Sequence, residues 1–156
     1  MLIRNILEES VRKFDEVKAV KWLKKKEIME RSYGELMENV VSTRKGLLAE
    51  GFEGKHIALI GTSSVEWMES YLGIITGCTT AVPLDAALPC EDLIDLLNRS
   101  DSVALFLSPK LRPYLDAFLE NCPKLQKVWM LQEEVEDAPA KVYGIGELRN
   151  AGKSAS

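Results

Sequence analysis

The chain has 156 residues, of which 46% are hydrophobic and 28% are charged, and its net charge at neutral pH is −4. This length and composition are typical of one folded domain, which can bury roughly two-thirds of its unfolded surface. The acidic balance argues against nucleic acid as a partner, because phosphate binding requires a basic surface.

The sequence also bears on location. The opening Met1-Leu2-Ile3-Arg4 resembles neither a signal peptide nor a transit peptide. The most apolar stretch, Tyr71–Leu84, is interrupted by Gly77 and is too short to span a bilayer, so no membrane span is expected. The three cysteines are widely spaced and form no CxxC pair, which favours reduced thiols and a cytoplasmic protein.

The amino-terminal third predicts a helix, a hairpin and a second helix. Apolar residues at steps of three and four predict an amphipathic helix over residues 3–15. Ala19–Leu23 and Glu27–Ser32 predict two strands, with Lys24-Lys25-Lys26 at a solvated hairpin tip. Ser32-Tyr33-Gly34-Glu35 has the spacing of a capping box, and the helix that it opens ends at Gly51.

The remainder alternates strands with helices. Helices are predicted from Ser63, where Ser63-Ser64-Val65-Glu66 is a second capping box, from Pro89, and from Ser108-Pro109. The predicted strands are Ile57–Ile60, Thr80–Leu84, Val103–Leu107 and Lys127–Leu131.

This alternation predicts an α/β fold: a parallel sheet with helices on both faces, preceded by the amino-terminal helix and the small β-hairpin. Glu133–Pro139 is predicted to be an acidic loop. We expect one α/β subdomain over residues 1–149, followed by a flexible, unanchored tail over 150–156.

Ligands of parallel sheets bind beyond the carboxyl ends of the strands. Gly61–Ser64 lies at such an end, where its hydroxyls and the free helix N–H groups could hold an anion. The loop has one glycine and no lysine, so helix capping is the favoured interpretation. Asp85 lies at another strand end. A phosphoacceptor aspartate would need an acidic pair at the end of the first strand, which here ends Ile60-Gly61-Thr62, so we expect Asp85 to cap a turn.

The single histidine and two glycine-containing segments do not match the patterns of catalytic or nucleotide-binding sites. His56, the single histidine, has no nucleophile or orienting group nearby in the sequence and is expected at or near the surface. Gly144-Ile145-Gly146 begins like a dinucleotide fingerprint, but Arg149 occupies the third glycine position. Gly146 to Gly152-Lys153-Ser154 has one residue too many for a Walker loop.

A helical stripe of apolar residues, Trp67, Met68, Tyr71, Leu72 and Ile75, is interpreted as core in preference to an acyl-chain pocket. We therefore predict no catalytic, cofactor-binding or metal-binding residue in this chain.

Several segments, in order, are similar to the amino-terminal portion of the adenylate-forming, or AMP-binding, ligase superfamily. The similarity runs from about Ile6 to Leu107, and to Leu131 if the last predicted strand is included. Within the superfamily, the residues of these segments most resemble those of bacterial long-chain acyl-CoA synthetases. The segments that carry it are Arg31–Leu36, Glu50–Ile60, Ser63–Trp67, Gly73–Cys78, Ala81-Val82-Pro83-Leu84-Asp85 and Asn98–Ser102.

The resemblance implies an enzyme that activates a carboxylic acid, here a fatty acid, with Mg·ATP and transfers the acyl group to coenzyme A. The superfamily's lysine-containing Ser/Thr/Gly-rich loop, adenine-binding segment, hinge aspartate and carboxyl-terminal lysine have no counterpart in this sequence. We therefore expect an amino-terminal fragment that is inactive alone, binds none of ATP, Mg²⁺ or CoA by itself, and self-associates through uncovered surfaces.

Two other interpretations remain open. The chain could be a free-standing, non-catalytic binding or interaction module derived from the same scaffold. It could also be an unrelated flavodoxin-like nucleotide binder, although its glycine-poor turns argue against that.

Overall fold

A five-stranded parallel sheet forms the centre of the computed structural model, which describes residues 18–24, 27–132 and 135–154. The strands are β3 (His56–Ile60), β4 (Thr80–Leu84), β5 (Ser102–Leu107), β6 (Lys127–Met130) and β7 (Val142–Gly144). Their order across the sheet is β4-β3-β5-β6-β7, and each neighbouring pair is parallel. The predicted α/β fold with a parallel sheet is confirmed.

Helices cover both faces of this sheet. One face carries α1 (Tyr33–Ala49), α2 (Val65–Ile75) and α5 (Ile145–Ser154). The other carries α3 (Cys90–Arg99), a 3₁₀ helix (Pro109–Tyr114) and α4 (Leu115–Asn121). Alternate strand residues point to the two layers, as the period of two in a strand requires: Ile57 and Leu59 pack beneath the first layer, and Ala58 and Ile60 beneath the second.

The predicted hairpin is also confirmed. Strands β1 (Lys18–Lys24) and β2 (Glu27–Ser32) pair antiparallel and form a separate two-stranded sheet. The predicted helix over residues 3–15 lies outside the described residues.

Helix α1 begins and ends as its sequence predicts. The Ser32 hydroxyl accepts from the Glu35 amide, and the Glu35 carboxylate accepts from the Ser32 amide, which completes the capping box. At the other end Gly51 has φ +82°, and the amides of Gly51 and Phe52 donate to the carbonyls of Leu48 and Leu47. This is a Schellman motif, and it turns the chain sharply into β3.

Three predictions about elements need correction. Helix α2 is capped by Ser64, whose hydroxyl accepts from the Trp67 amide, so the cap lies one residue later than the predicted box at Ser63. The segment after Ser108 opens as a 3₁₀ helix, because Pro113 has no N–H to donate to an α-helical ladder.

The third correction concerns the end of the chain. Residues 150–154 were predicted to be an unanchored tail, but they continue α5, and Gly152 in that segment is buried. A Cβ on Gly152 would lie 2.0 Å from the Ser42 carbonyl oxygen of α1, so the absence of a side chain lets the two helix backbones touch. Residues 155 and 156 lie outside the described part of the chain.

Candidate functional site

The carboxyl edge of the sheet is the first place to look for a ligand. Beyond β3, the Thr62 amide donates to the Ser108 hydroxyl at 3.2 Å, and the Ser108 amide donates to the Ile60 carbonyl at 3.0 Å. Gly61 permits this contact, because a Cβ there would lie 2.1 Å from the Ser108 oxygen. Ser108 therefore joins the ends of β3 and β5.

The polar residues predicted at this edge have structural partners. The Ser64 oxygen accepts the Trp67 amide at 3.0 Å, which confirms helix capping within the Gly61–Ser64 loop. Asp85 Oδ1 accepts the Ala87 amide at 2.9 Å, and this bond confirms its predicted role in the turn after Pro83.

His56 lies at the opposite edge of the sheet. It is exposed at the start of β3, as predicted, and its Nδ1 lies 2.7 Å from the Ser100 carbonyl oxygen, to which the ring N–H donates. The bond ties β3 to the end of α3. The hydrogen-bond partner of His56 is therefore a backbone carbonyl, and not the nucleophile that a catalytic histidine would need.

A charged centre that no sequence pattern predicts lies inside the first helical layer. Glu69 of α2 is 0% exposed, and its carboxylate accepts from Asn39 Nδ2 of α1 at 2.8 Å. Arg31 Nε from β2 lies 3.1 Å from the same carboxylate, and Arg149 Nη2 from α5 lies 3.6 Å from it. One carboxylate of α2 thus contacts the hairpin and two other helices, α1 and α5.

Burial dominates the electrostatics of this centre. It raises the pKa of Glu69 above its ordinary value, while the Asn39 hydrogen bond and the charges of Arg149 and Arg31 act in the opposite direction. Arg149 is 4% exposed, and its Nε donates to the Thr43 hydroxyl at 3.2 Å. Arg149, which disqualified the dinucleotide motif, is therefore a structural cation.

The apolar stripe on α2 differs from its predicted role. The buried face of α2 is formed by Val65, Glu69, Ser70, Gly73 and Ile74, while all five members of the stripe are half-buried. Trp67 and Tyr71 stack with their centroids 5.2 Å apart and pack against the core. Met68, Leu72 and Ile75 share the outer side of the helix, so the interpretation of the whole stripe as core is wrong.

The remaining candidate motifs are structural as well. Gly144 ends β7 and Gly146 lies in the first turn of α5, and both are buried. Gly152 serves the contact between α5 and α1 described above.

Within residues 18–24, 27–132 and 135–154, no group of three His, Cys, Asp or Glu side chains is arranged to hold a metal ion. No helix in that part of the chain is long and apolar enough to cross a membrane.

Comparison with known proteins agrees with this architecture. The family model described as "AMP-binding enzyme" matches residues 7–151. The chain belongs to the AMP-binding enzyme family. Comparison with curated protein sequences gives no match.

Solved structures of adenylate-forming ligases share the fold. Coronafacic acid ligase from Pectobacterium brasiliense superimposes with a TM-score of 0.85 at 20% identity, over 96% of this chain and 29% of that one. The anthranilate CoA ligase AuaEII, in complex with anthranoyl-AMP, gives 0.83 at 16% identity, over 96% and 28%. A putative long-chain-fatty-acid CoA ligase from Rhodopseudomonas palustris gives 0.79 at 13% identity, over 100% and 36%. This chain therefore spans about a third of the length of the structures that it matches.

Proposed function

We propose that this chain is the amino-terminal scaffold of an adenylate-forming acid–thiol ligase. The observation that carries the proposal is the family match over residues 7–151. The longer enzyme would join a carboxylic acid to coenzyme A through an acyl-adenylate, with ATP and Mg²⁺ as co-reactants. Such chemistry requires donors on the transferring phosphate and a cation that neutralises its developing charge.

The carboxyl edge of the sheet supports a scaffold role. Ser64, Asp85 and Ser108 each use a side-chain oxygen to hold a turn or a strand end. Their hydrogen bonds organise the loops against which further parts of a ligase can pack. We propose that the chain alone does not activate a carboxylate and that ATP, Mg²⁺ and CoA bind in the longer protein.

A fatty acid is the proposed substrate of that longer protein, and the cytoplasm its proposed location. The substrate class is supported by the order and residue patterns of segments such as Arg31–Leu36 and Ala81–Asp85, which resemble those of bacterial long-chain acyl-CoA synthetases. The location rests on the widely spaced cysteines, which favour a reducing compartment.

Sequencing the source gene downstream of the Ser156 codon tests the proposed relationship directly. We expect an open frame of several hundred codons that encodes a Ser/Thr/Gly-rich loop containing lysine. A stop codon at or near that position would contradict the proposal. It would favour the alternative, a free-standing interaction module on the same scaffold.

A further inference from the structure

Strand β4 forms one open edge of the sheet. It pairs with β3 on one side, and no described strand lies on its other side. The Thr80 amide donates to the Lys55 carbonyl, just before β3, at 3.0 Å, so the peptide groups of Thr80 point toward β3. Because the peptide groups of successive residues in a strand point to opposite sides, those of Ala81 and Pro83 point outward.

Pro83 therefore removes a hydrogen-bond donor from the outward side of β4. Proline has no backbone N–H, so an added strand would meet both the N–H and the C=O of Ala81 but only the C=O of Pro83. An edge strand tolerates proline where the missing N–H would face away from its neighbour. The proline thus weakens pairing with an added strand and leaves the pairing of β4 with β3 complete.

The rest of β4 resembles a strand that would pair readily. Exposed edges are commonly protected by lysine, by proline or by a bulge. The segment Thr80–Leu84 contains no charged residue, and its register with β3 is regular over all five residues. Ala81, Val82 and Leu84 are half-buried apolar residues. Within β4, Pro83 is therefore the one residue that opposes strand addition.

The opposite edge of the sheet is restricted in a different way. β7 has only three residues. The Lys141 carbonyl accepts from the Val128 amide of β6, so the peptide groups of Val142 face away from β6. The Val142 amide already donates to the Pro139 carbonyl at 3.3 Å. Of the two edges, β4 is therefore the one that a strand could extend if Pro83 were replaced.

We propose that Pro83 closes the β4 edge, so that a second copy of this chain cannot add a strand to the sheet there. The restriction applies to hydrogen-bonded strand pairing. Contacts made through side chains, such as those on the outer side of α2, are not restricted by it.

Pro83→Val tests the proposal, because valine restores the N–H and favours strands. A symmetric pair of β4 strands would gain two hydrogen bonds, so we expect association at a protein concentration about tenfold lower than for wild type. Light scattering measures the mass, and slowed hydrogen exchange at the Ala81 amide identifies the contact. Pro123→Val, which replaces an exposed proline between α4 and β6, is the matched control and should behave like wild type.

A charge on the edge separates strand pairing from loss of the native fold. Thr80→Lys, added to Pro83→Val, places a lysine at an exposed position of β4 and should return association to the wild-type level. A chain that associates because it unfolds would not be rescued by a surface lysine. The proposal is overturned if Pro83→Val associates no more than wild type, if Pro123→Val has the same effect, if exchange at Ala81 is not slowed, or if Thr80→Lys does not reverse the association.

Discussion

At the scale of single residues, Glu69 has the most consequential environment among the described side chains. It is fully buried, yet Arg31 and Arg149 approach it from opposite ends of the described chain. Removing one partner of a buried ion pair costs about 3–5 kcal/mol, because the remaining charge keeps its desolvation penalty. Glu69 therefore fixes the hairpin and α5 against α1 and α2.

The raised pKa of Glu69 predicts a pH-dependent stability. A carboxyl whose pKa is higher in the folded than in the unfolded state binds its proton more tightly when folded. Its contribution is complete below its ordinary pKa of 4.5 and is lost as the pH rises through the folded value. We expect Glu69→Gln to abolish this part of the pH dependence of the unfolding free energy.

Urea unfolding at a series of pH values from 4 upward measures this difference between wild type and variant. Glu120→Gln, which replaces an exposed carboxylate on the opposite helical layer, is the matched control and should preserve the wild-type slope. If Glu69→Gln and wild type give parallel curves over the whole series, Glu69 does not titrate with a raised pKa.

The charged centre illustrates what sequence patterns leave undetermined. Glu69 follows Met68 on a helix whose apolar stripe predicts the buried side. Its burial depends on Arg149, which is 80 positions later in the sequence and belongs to a helix that the sequence did not predict. Local capping signals such as Ser32 and Asp85 were predictable, because their partners lie within three residues.

At the scale of elements, the contact between α1 and α5 depends on small residues. Beside the approach of Gly152 to Ser42, a Cβ on Gly46 would lie 2.4 Å from the Leu148 carbonyl oxygen. The obstructing atoms are backbone, which cannot rotate away. The helices therefore pack at a distance that only glycine permits at these positions.

Gly152→Ala should separate these two helices. Overpacking of this kind costs about 1–3 kcal/mol, and the rigid backbone on the other side places this case toward the upper end. Thermal and urea unfolding measure the loss. Asn150→Ala, exposed on the same helix, is the control and should leave stability unchanged or slightly higher. Equal stability of the two variants would show that α5 does not pack tightly on α1.

Strand and helix prediction succeeded where elements had long apolar runs. Four of the five sheet strands were predicted within a residue or so, and so were the two hairpin strands. β7 escaped detection, because three residues, Val142–Gly144, are too few for a periodic signal. The predicted tail included Gly152, whereas the role of Gly152 in α5 depends on Ser42 of α1, which lies more than 100 positions earlier in the sequence.

At the scale of the whole molecule, the outer side of α2 is an apolar surface. Met68, Leu72 and Ile75 are half-buried there, and β4 is an edge strand of the sheet. Unpaired strand edges and apolar patches favour association. We propose that the isolated chain self-associates through this side.

Light scattering over a range of protein concentrations tests that proposal. We expect the mean mass to rise with concentration, and Ile75→Glu to reduce the rise. Ala87→Glu adds the same charge at an exposed loop beyond β4, away from the outer side of α2, and should leave association unchanged. A monomer at high concentration would contradict the proposal, as would equal effects of the two variants.

We propose that this chain supplies the scaffold of a carboxylate-activating ligase and does not perform the activation alone. Carboxylate-dependent exchange of pyrophosphate into ATP measures that step most directly. The purified chain should give no exchange above background with ATP, Mg²⁺ and a series of fatty and aromatic acids. The anthranilate CoA ligase AuaEII, whose solved complex contains anthranoyl-AMP, is assayed in parallel with anthranilate as the positive control. Exchange that depends on both the chain and an added acid would contradict this account.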